Sequence, residues 1–123
     1  MSGAAGLQRG RLHVATLVRV RFLPVVCEPA AFSSPESFAL HLAEGRRMLE
    51  GALDRQELPD GYAVSLPNDD ETMLSVARWS VDERRCCPFF TFTIVREPPP
   101  GPLWLRITGP EGAKQILEEA FPK

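Results

Sequence analysis

The chain has 123 residues, of which 44% are hydrophobic and 24% charged, a composition typical of one globular domain with its own core. Its 14 basic and 16 acidic side chains give a net charge of −2, which does not favour binding to nucleic acid or to an anionic membrane surface. The three cysteines are too few and odd in number for a secreted disulfide framework, so we expect a reducing, cytoplasmic location.

The first 27 residues contain several arginines, and no acidic residue precedes Glu28. This bias is found in organelle transit peptides, in flexible arms and in segments that result from a translation start assigned too early. Arg19 and Arg21 interrupt the apolar stretch that a secretory signal needs, and no segment approaches the roughly 20 apolar residues of a membrane span. We interpret residues 1–27 as an Arg-rich arm, flexible or forming an edge strand, and residues 28–123 as a single α+β domain.

The first predicted helix runs from Ser34 to about Asp54. It opens with serine, proline and glutamate in the order of a capped helix start, and its apolar residues follow the 3.6-residue period. A tight turn at residues 58–61 and alternating apolar residues at positions 62–66 then predict a short strand. This part of the chain is therefore expected to supply one helix and one strand.

A second helix is predicted from about residue 69 to residue 85 or 86. On a helical wheel, one side of this segment carries Met73, Val76, Ala77, Ser80, Val81, Arg84 and Cys87. Cys86 falls on the opposite side, beside Trp79 and Glu83. The two adjacent thiols are therefore expected to face different environments.

Pro88 ends this helix and pushes Cys87 into an extended conformation, so the two cysteines lie at a corner between helix and strand. Alternating β-favouring residues predict that strand at positions 89–95 and another at positions 103–108. The proline-rich segment between them is expected to form a hairpin loop, and a last helix follows it to about residue 121.

This order of elements predicts an α+β fold, a ferredoxin-like two-layer sandwich of strand-helix-strand-strand-helix order, preceded by an additional N-terminal helix. Two helices are expected on one face of the sheet. The opposite face, which carries Trp104 and Arg106, is a candidate interface. It is expected to be covered by the first helix, by the N-terminal arm or by the second subunit of a homodimer.

The cysteines carry the clearest chemistry. Thiolates are the softest ligands that a protein offers, and Cys86 and Cys87, with Cys27 brought near by the fold, would supply three sulfurs to a soft ion. Zinc, copper(I), mercury(II) and arsenite are ions of this kind. His41, near the edge of the apolar face of its helix, is a candidate fourth ligand. These four residues are the predicted metal site.

Other interpretations of the cysteines stay open. Free cysteine is among the most buried residue types, so the thiols could be inert in a non-catalytic interaction or dimerisation module. They could also serve redox or nucleophilic chemistry if a thiolate is stabilised. No phosphate-binding loop, serine elbow or zinc-protease helix occurs in the sequence, so no catalytic or cofactor-binding residue is assigned, and a non-enzymatic role is expected.

Three segments carry a resemblance to known proteins. The sequence Glu-Arg-Arg-Cys-Cys-Pro-Phe-Phe at residues 83–90, together with residues 104–114 and 57–62, resembles a group of short uncharacterised bacterial proteins. The Cys-Cys-Pro-Phe segment is also similar to the tail of some mercury-resistance-type transcriptional regulators. The resemblance covers about residues 25–121 and implies a bacterial cytoplasmic protein with a link to thiophilic metals. No counterpart of the DNA-binding part of those regulators is found, so a transcriptional role is not implied.

Overall fold

The computed structural model describes residues 25–122. A short 3-10 turn at Pro29–Ala31 precedes helix α1, and the later elements are helices α2 and α3 and strands β1 to β4. Their bounds are Pro35–Glu50 for α1, Asp54–Leu58 for β1, Gly61–Leu66 for β2, Asp70–Cys86 for α2, Thr91–Arg96 for β3, Leu103–Thr108 for β4 and Ala113–Ala120 for α3. Residues 1–24 of the predicted arm lie outside the described residues, so the interpretation of that arm stays a prediction.

The four strands form one antiparallel sheet of order β1-β2-β4-β3. Since β4 pairs antiparallel with both β2 and β3, the two strands that α2 connects run parallel to each other. Val64, Leu105 and Ile94 are aligned across β2, β4 and β3 and share one face of the sheet. The result is a mixed α+β fold consistent with a two-layer sandwich.

The three helices pack on the same face of the sheet. Trp79 of α2 meets Phe92 of β3 edge-on with ring centroids 6.3 Å apart, and Phe121 at the end of α3 lies 5.9 Å from Trp79. Leu49 of α1 lines a small cavity together with the sheet residue Val64. Helix α1 therefore does not cover the opposite face, which removes one of the three predicted coverings. None of the helices in residues 25–122 is long and apolar enough to cross a membrane.

Two boundaries differ from the sequence prediction. Helix α1 ends at Glu50 rather than near Asp54, because Leu53 and the residues after it leave the helix and form backbone hydrogen bonds with β2. The following segment, Asp54–Leu58, forms strand β1, which the sequence did not predict. Among the described strands it is an edge strand that pairs with β2, and its mostly exposed polar residues give no alternating apolar signal.

Gly45 allows α1 to pack closely on the core. A methyl group on Gly45 would lie 2.7 Å from Trp79 Nε1 and 2.9 Å from Phe121 Cε1. We expect Gly45→Ala to lower the free energy of unfolding by about 1–3 kcal/mol despite the higher helix propensity of alanine, because both rings must move. Urea unfolding measures this loss.

A matched control is Gly51→Ala, where the nearest atom to an added methyl group is a carbonyl oxygen at 3.6 Å. This change is expected to alter stability by less than about 1 kcal/mol. A Gly45→Ala protein as stable as the wild type would contradict the close packing.

Candidate metal centre

The three cysteines come together at the corner between α2 and β3. The Sγ atoms of Cys27 and Cys87 are 2.7 Å apart, and those of Cys87 and Cys86 are 3.6 Å apart. All three sulfurs lie within 4.8 Å of one another and form the one group of potential metal ligands detected in residues 25–122. The predicted approach of Cys27 to the cysteine pair is confirmed.

A backbone hydrogen bond of the next residue, Glu28, holds Cys27 at the end of α2. The Glu28 N–H donates to the Cys86 carbonyl at 2.8 Å, and the chain then turns into the 3-10 segment at Pro29–Ala31. A bond between these two backbone groups, 58 positions apart in the numbering, places residue 27 beside the cysteine pair. The half-buried Cys27 is thus anchored through its backbone.

Cys86 and Cys87 share one site because the helix ends between them. Cys86 is the last residue of α2, and Cys87 has a non-helical backbone with φ −131° and ψ 76°. Pro88 excludes the helical conformation for Cys87. The expectation that the two thiols face different environments is therefore wrong: each residue is 2% exposed, and the two sulfurs lie 3.6 Å apart.

The buried stripe of α2 combines residues from both sides of the helical wheel. Val76, Trp79, Glu83 and Cys86 are buried at spacings of three, four and three residues, whereas Val81, which shares a side with Val76 on the wheel, is 56% exposed. The large ring of Trp79 gains more from burial than the smaller residues on the opposite side. The side of the helix that carries Trp79 therefore faces the core, and Glu83 and Cys86 point inward together.

Glu83 is buried in a pair with His41. The Nε2 of His41 lies 2.6 Å from Glu83 Oε1, and the two side chains are only 2% and 5% exposed. The His41 ring is stacked on Trp79 with ring centroids 5.4 Å apart. It also contacts Phe32, which precedes α1, with ring centroids 5.0 Å apart. Its Nδ1 atom is buried and finds no hydrogen-bond partner within residues 25–122. The pair joins α1 to α2 next to the cysteines.

His41 is not a member of the sulfur group. Its Nε2 atom is engaged by Glu83, so its role as a fourth ligand stays a prediction. Sequence reasoning missed Glu83, which lines the same cavity as the three cysteines. The available signal was its position three residues before Cys86, on the same side of the helix.

Burial sets the protonation of the thiols. It raises the pKa of Cys27 from 9.0 to about 11, although the hydrogen bond with Cys87 acts in the opposite direction. Burial also raises the pKa of Cys87, and there the hydrogen bond with Cys27 and the negative charge of Glu83 add to the effect. Both groups are therefore neutral thiols near pH 7. Neither has the thiolate character that redox or nucleophilic cysteines need, and a bound ion must displace their protons.

These shifts predict a loss of stability in alkali. A pKa that is raised on folding stabilises the native state below the unfolded value near 9.0, and this contribution is lost as the pH rises through about 11. We expect the free energy of unfolding, measured in urea, to fall between pH 9 and pH 11, and to fall less in Cys27→Ala. The pKa of Tyr62 is raised from 10.0 to about 12 by its hydrogen bond with Glu118, so its own contribution is lost between about pH 10 and pH 12 in the wild type and in Cys27→Ala alike. Identical pH profiles for the wild type and Cys27→Ala would contradict the assignment.

The predicted interface residues lie on the sheet face opposite the helices. Trp104 is half-buried and paired with Val95, and the exposed Arg106 is paired with Thr93. Val95 is 40% exposed. No helix among residues 25–122 packs on this face, and the role of Trp104 and Arg106 in an interface stays a prediction.

No protein-family model, no curated protein and no solved structure matches this chain. The resemblance to bacterial proteins with a Cys-Cys-Pro-Phe segment thus stays a prediction.

Proposed function

We propose that this protein binds a soft metal or metalloid ion through Cys27, Cys86 and Cys87. The observation that supports the proposal is the convergence of all three sulfurs within 4.8 Å at one corner of the fold. Sulfur ligands lie at about 2.3 Å from a zinc-sized ion, which places neighbouring sulfurs about 3.8 Å apart. Cys86 and Cys87 are close to that spacing at 3.6 Å, and Cys27 would need to move outward by about 1 Å from Cys87.

The protonated thiols favour the most thiophilic ions. Each bound sulfur must give up its proton, and burial opposes this for both Cys27 and Cys87. Arsenic(III), mercury(II) and copper(I) form stronger bonds to sulfur than zinc does and compete better with the protons. The predicted resemblance of residues 86–89 to the tails of mercury-resistance-type regulators points to the same class of ion. A reducing cytoplasm, where the thiols stay free, belongs to this proposal.

The ferredoxin-like assignment is part of the proposal as well. Its basis is the order β2-α2-β3-β4-α3, with β4 between two parallel strands. In this interpretation β1 and α1 are additions, and α1 supplies one wall of the site.

Titration of the reduced protein with arsenite, mercury(II) and zinc tests the proposal. We expect one ion per chain, protection of the three thiols from alkylation, and a rise in the unfolding temperature at saturating ion. A ligand that binds only the native state must stabilise it. An unfolding temperature that stays the same with all three ions would overturn the proposal.

The sheet face on which no helix of residues 25–122 packs supports a second candidate function, a homodimerisation module in which the cysteines are inert. Half-buried Trp104 and the 40% exposed Val95 form an apolar patch beside Arg106 on that face. This function predicts a dimer in sedimentation that Trp104→Glu dissociates and thiol alkylation leaves intact. Gln115→Glu, an exposed change on α3, serves as the control. A wild-type monomer at high protein concentration would dispose of this candidate.

A further inference from the structure

A cavity of about 240 Å³ lies directly beside the three cysteines. The cysteines and Glu83 form one part of its wall. Most of the remaining wall is hydrocarbon, contributed by Phe38, Leu42, Phe90, Ile116 and Ala120 among others. The exposed residues Arg46 and Glu119 also line it, so its opening lies between α1 and α3.

The size of the cavity suits an organic group of a few carbon atoms or one aromatic ring. An apolar cavity of about 150 Å³ in a protein core stays dry and binds benzene. The present cavity is larger, so a phenyl-sized group would fit and leave room for the atom that carries it. A bare ion bound by the sulfurs would leave this apolar volume unfilled.

The burial of the sulfurs limits the charge of the bound species. Cys86 and Cys87 are almost fully buried, and the buried carboxyl group of Glu83 lines the same cavity. A divalent ion bound by three thiolates leaves one net negative charge in this environment, which burial penalises. Trivalent arsenic with three thiolates, or arsenic that carries one organic group and two thiolates, forms an uncharged complex.

We propose that the cysteine site takes trivalent arsenic bearing one organic substituent, with the arsenic on the sulfurs and the substituent in the adjoining cavity. This inference rests on the proposed function and names its ligand class. Cys86 and Cys87, with sulfurs 3.6 Å apart, are the two ligands of the arsenic atom. Cys27 becomes the third ligand only when the arsenic carries no organic group.

The binding step is a ligand exchange without electron transfer. The ligand is an organoarsonous acid, in which arsenic carries the organic group and two hydroxyl groups. Two As–O bonds break and two As–S bonds form, and each thiol proton leaves with a hydroxide as water. Arsenic stays trivalent throughout, so no oxidant or reductant takes part.

Binding of phenylarsine oxide, which hydrates to phenylarsonous acid, and of inorganic arsenite to the reduced full chain tests this inference. The measured quantity is the ratio of their dissociation constants. In Ala120→Phe, where the added ring occupies the cavity, we expect the preference for the phenyl compound to fall at least about tenfold, with arsenite affinity retained. Ala43→Phe, an exposed change on α1, is the matched control and should keep the wild-type ratio.

The outcomes separate this inference from the proposed function. If the ratio of dissociation constants is unchanged in Ala120→Phe, the organic group does not occupy the cavity and this inference is overturned. Arsenite binding to the same protein would still support the cysteine site. Binding of neither compound to the wild type would overturn both. If Ala120→Phe fails to bind arsenite, the smaller change Ala120→Val takes its place, and a ratio equal to the wild type overturns the inference. A Cys27→Ala protein should keep its affinity for the phenyl compound and bind arsenite more weakly. The reverse pattern would contradict the assignment of Cys86 and Cys87 as the two ligands of organic arsenic and of Cys27 as the third ligand of arsenite.

Discussion

Replacement of Cys87 by alanine is expected to abolish the stabilisation that arsenite gives to the protein. Cys87 lies at the centre of the sulfur group, 2.7 Å from Cys27 and 3.6 Å from Cys86. At an ion concentration of about 1,000 times the dissociation constant, binding stabilises a native protein by about 4 kcal/mol. For a domain of this size that corresponds to a rise in unfolding temperature of more than about 10 °C. The Cys87→Ala protein should unfold at the same temperature with and without arsenite.

Two further variants give this comparison its controls. Cys27→Ala keeps the cysteine pair and should retain part of the arsenite-induced rise. Ser75→Ala, at an exposed position on α2, should retain all of it. Scanning calorimetry of each reduced protein supplies the temperatures. If Cys87→Ala is stabilised by arsenite as much as the wild type, the sulfur cluster is not the binding site.

The corner that carries the cysteine pair was predictable because its cause is local. Pro88 excludes a helical conformation at the preceding residue, and the alternating apolar residues of β4 define its two faces without help from distant parts of the chain. The tight turn before Gly61 was predicted on the same kind of local evidence. Steric effects that act between neighbouring residues leave a clear trace in sequence.

The orientation of α2 was not predictable in this way. The helical wheel places Glu83 beside Trp79 and Cys86, but a charged group is rarely buried without a partner, so the wheel alone gives no reason to expect its burial. The partner here is His41, 42 positions earlier in the chain, and no pattern connects the two residues. The approach of Cys27 depends on the backbone bond between Glu28 and Cys86, for which no side chain gives a signal. Contacts between distant segments decided both features.

The buried pair of His41 and Glu83 carries the second large expected effect. Within residues 25–122, His41 is the hydrogen-bond partner of the Glu83 carboxylate, so His41→Leu leaves that buried group without this partner. Breaking a buried pair by removing one partner typically costs about 3–5 kcal/mol. We expect a loss of this size in the free energy of unfolding of His41→Leu, measured in urea near pH 7.

The double variant His41→Leu/Glu83→Leu distinguishes the pair itself from simple packing at these positions. Replacing both partners by apolar groups removes the unpaired carboxyl group, so the double variant should be more stable than His41→Leu alone. Additive losses in the double-mutant cycle would contradict a direct interaction. Zinc binding adds a further readout, because a tetrahedral zinc site takes four ligands and the double variant keeps all three sulfurs while losing the imidazole. Retained zinc binding would show that His41 supports the contact between α1 and α2, whereas loss of zinc binding in a folded double variant would favour the prediction that His41 is the fourth ligand.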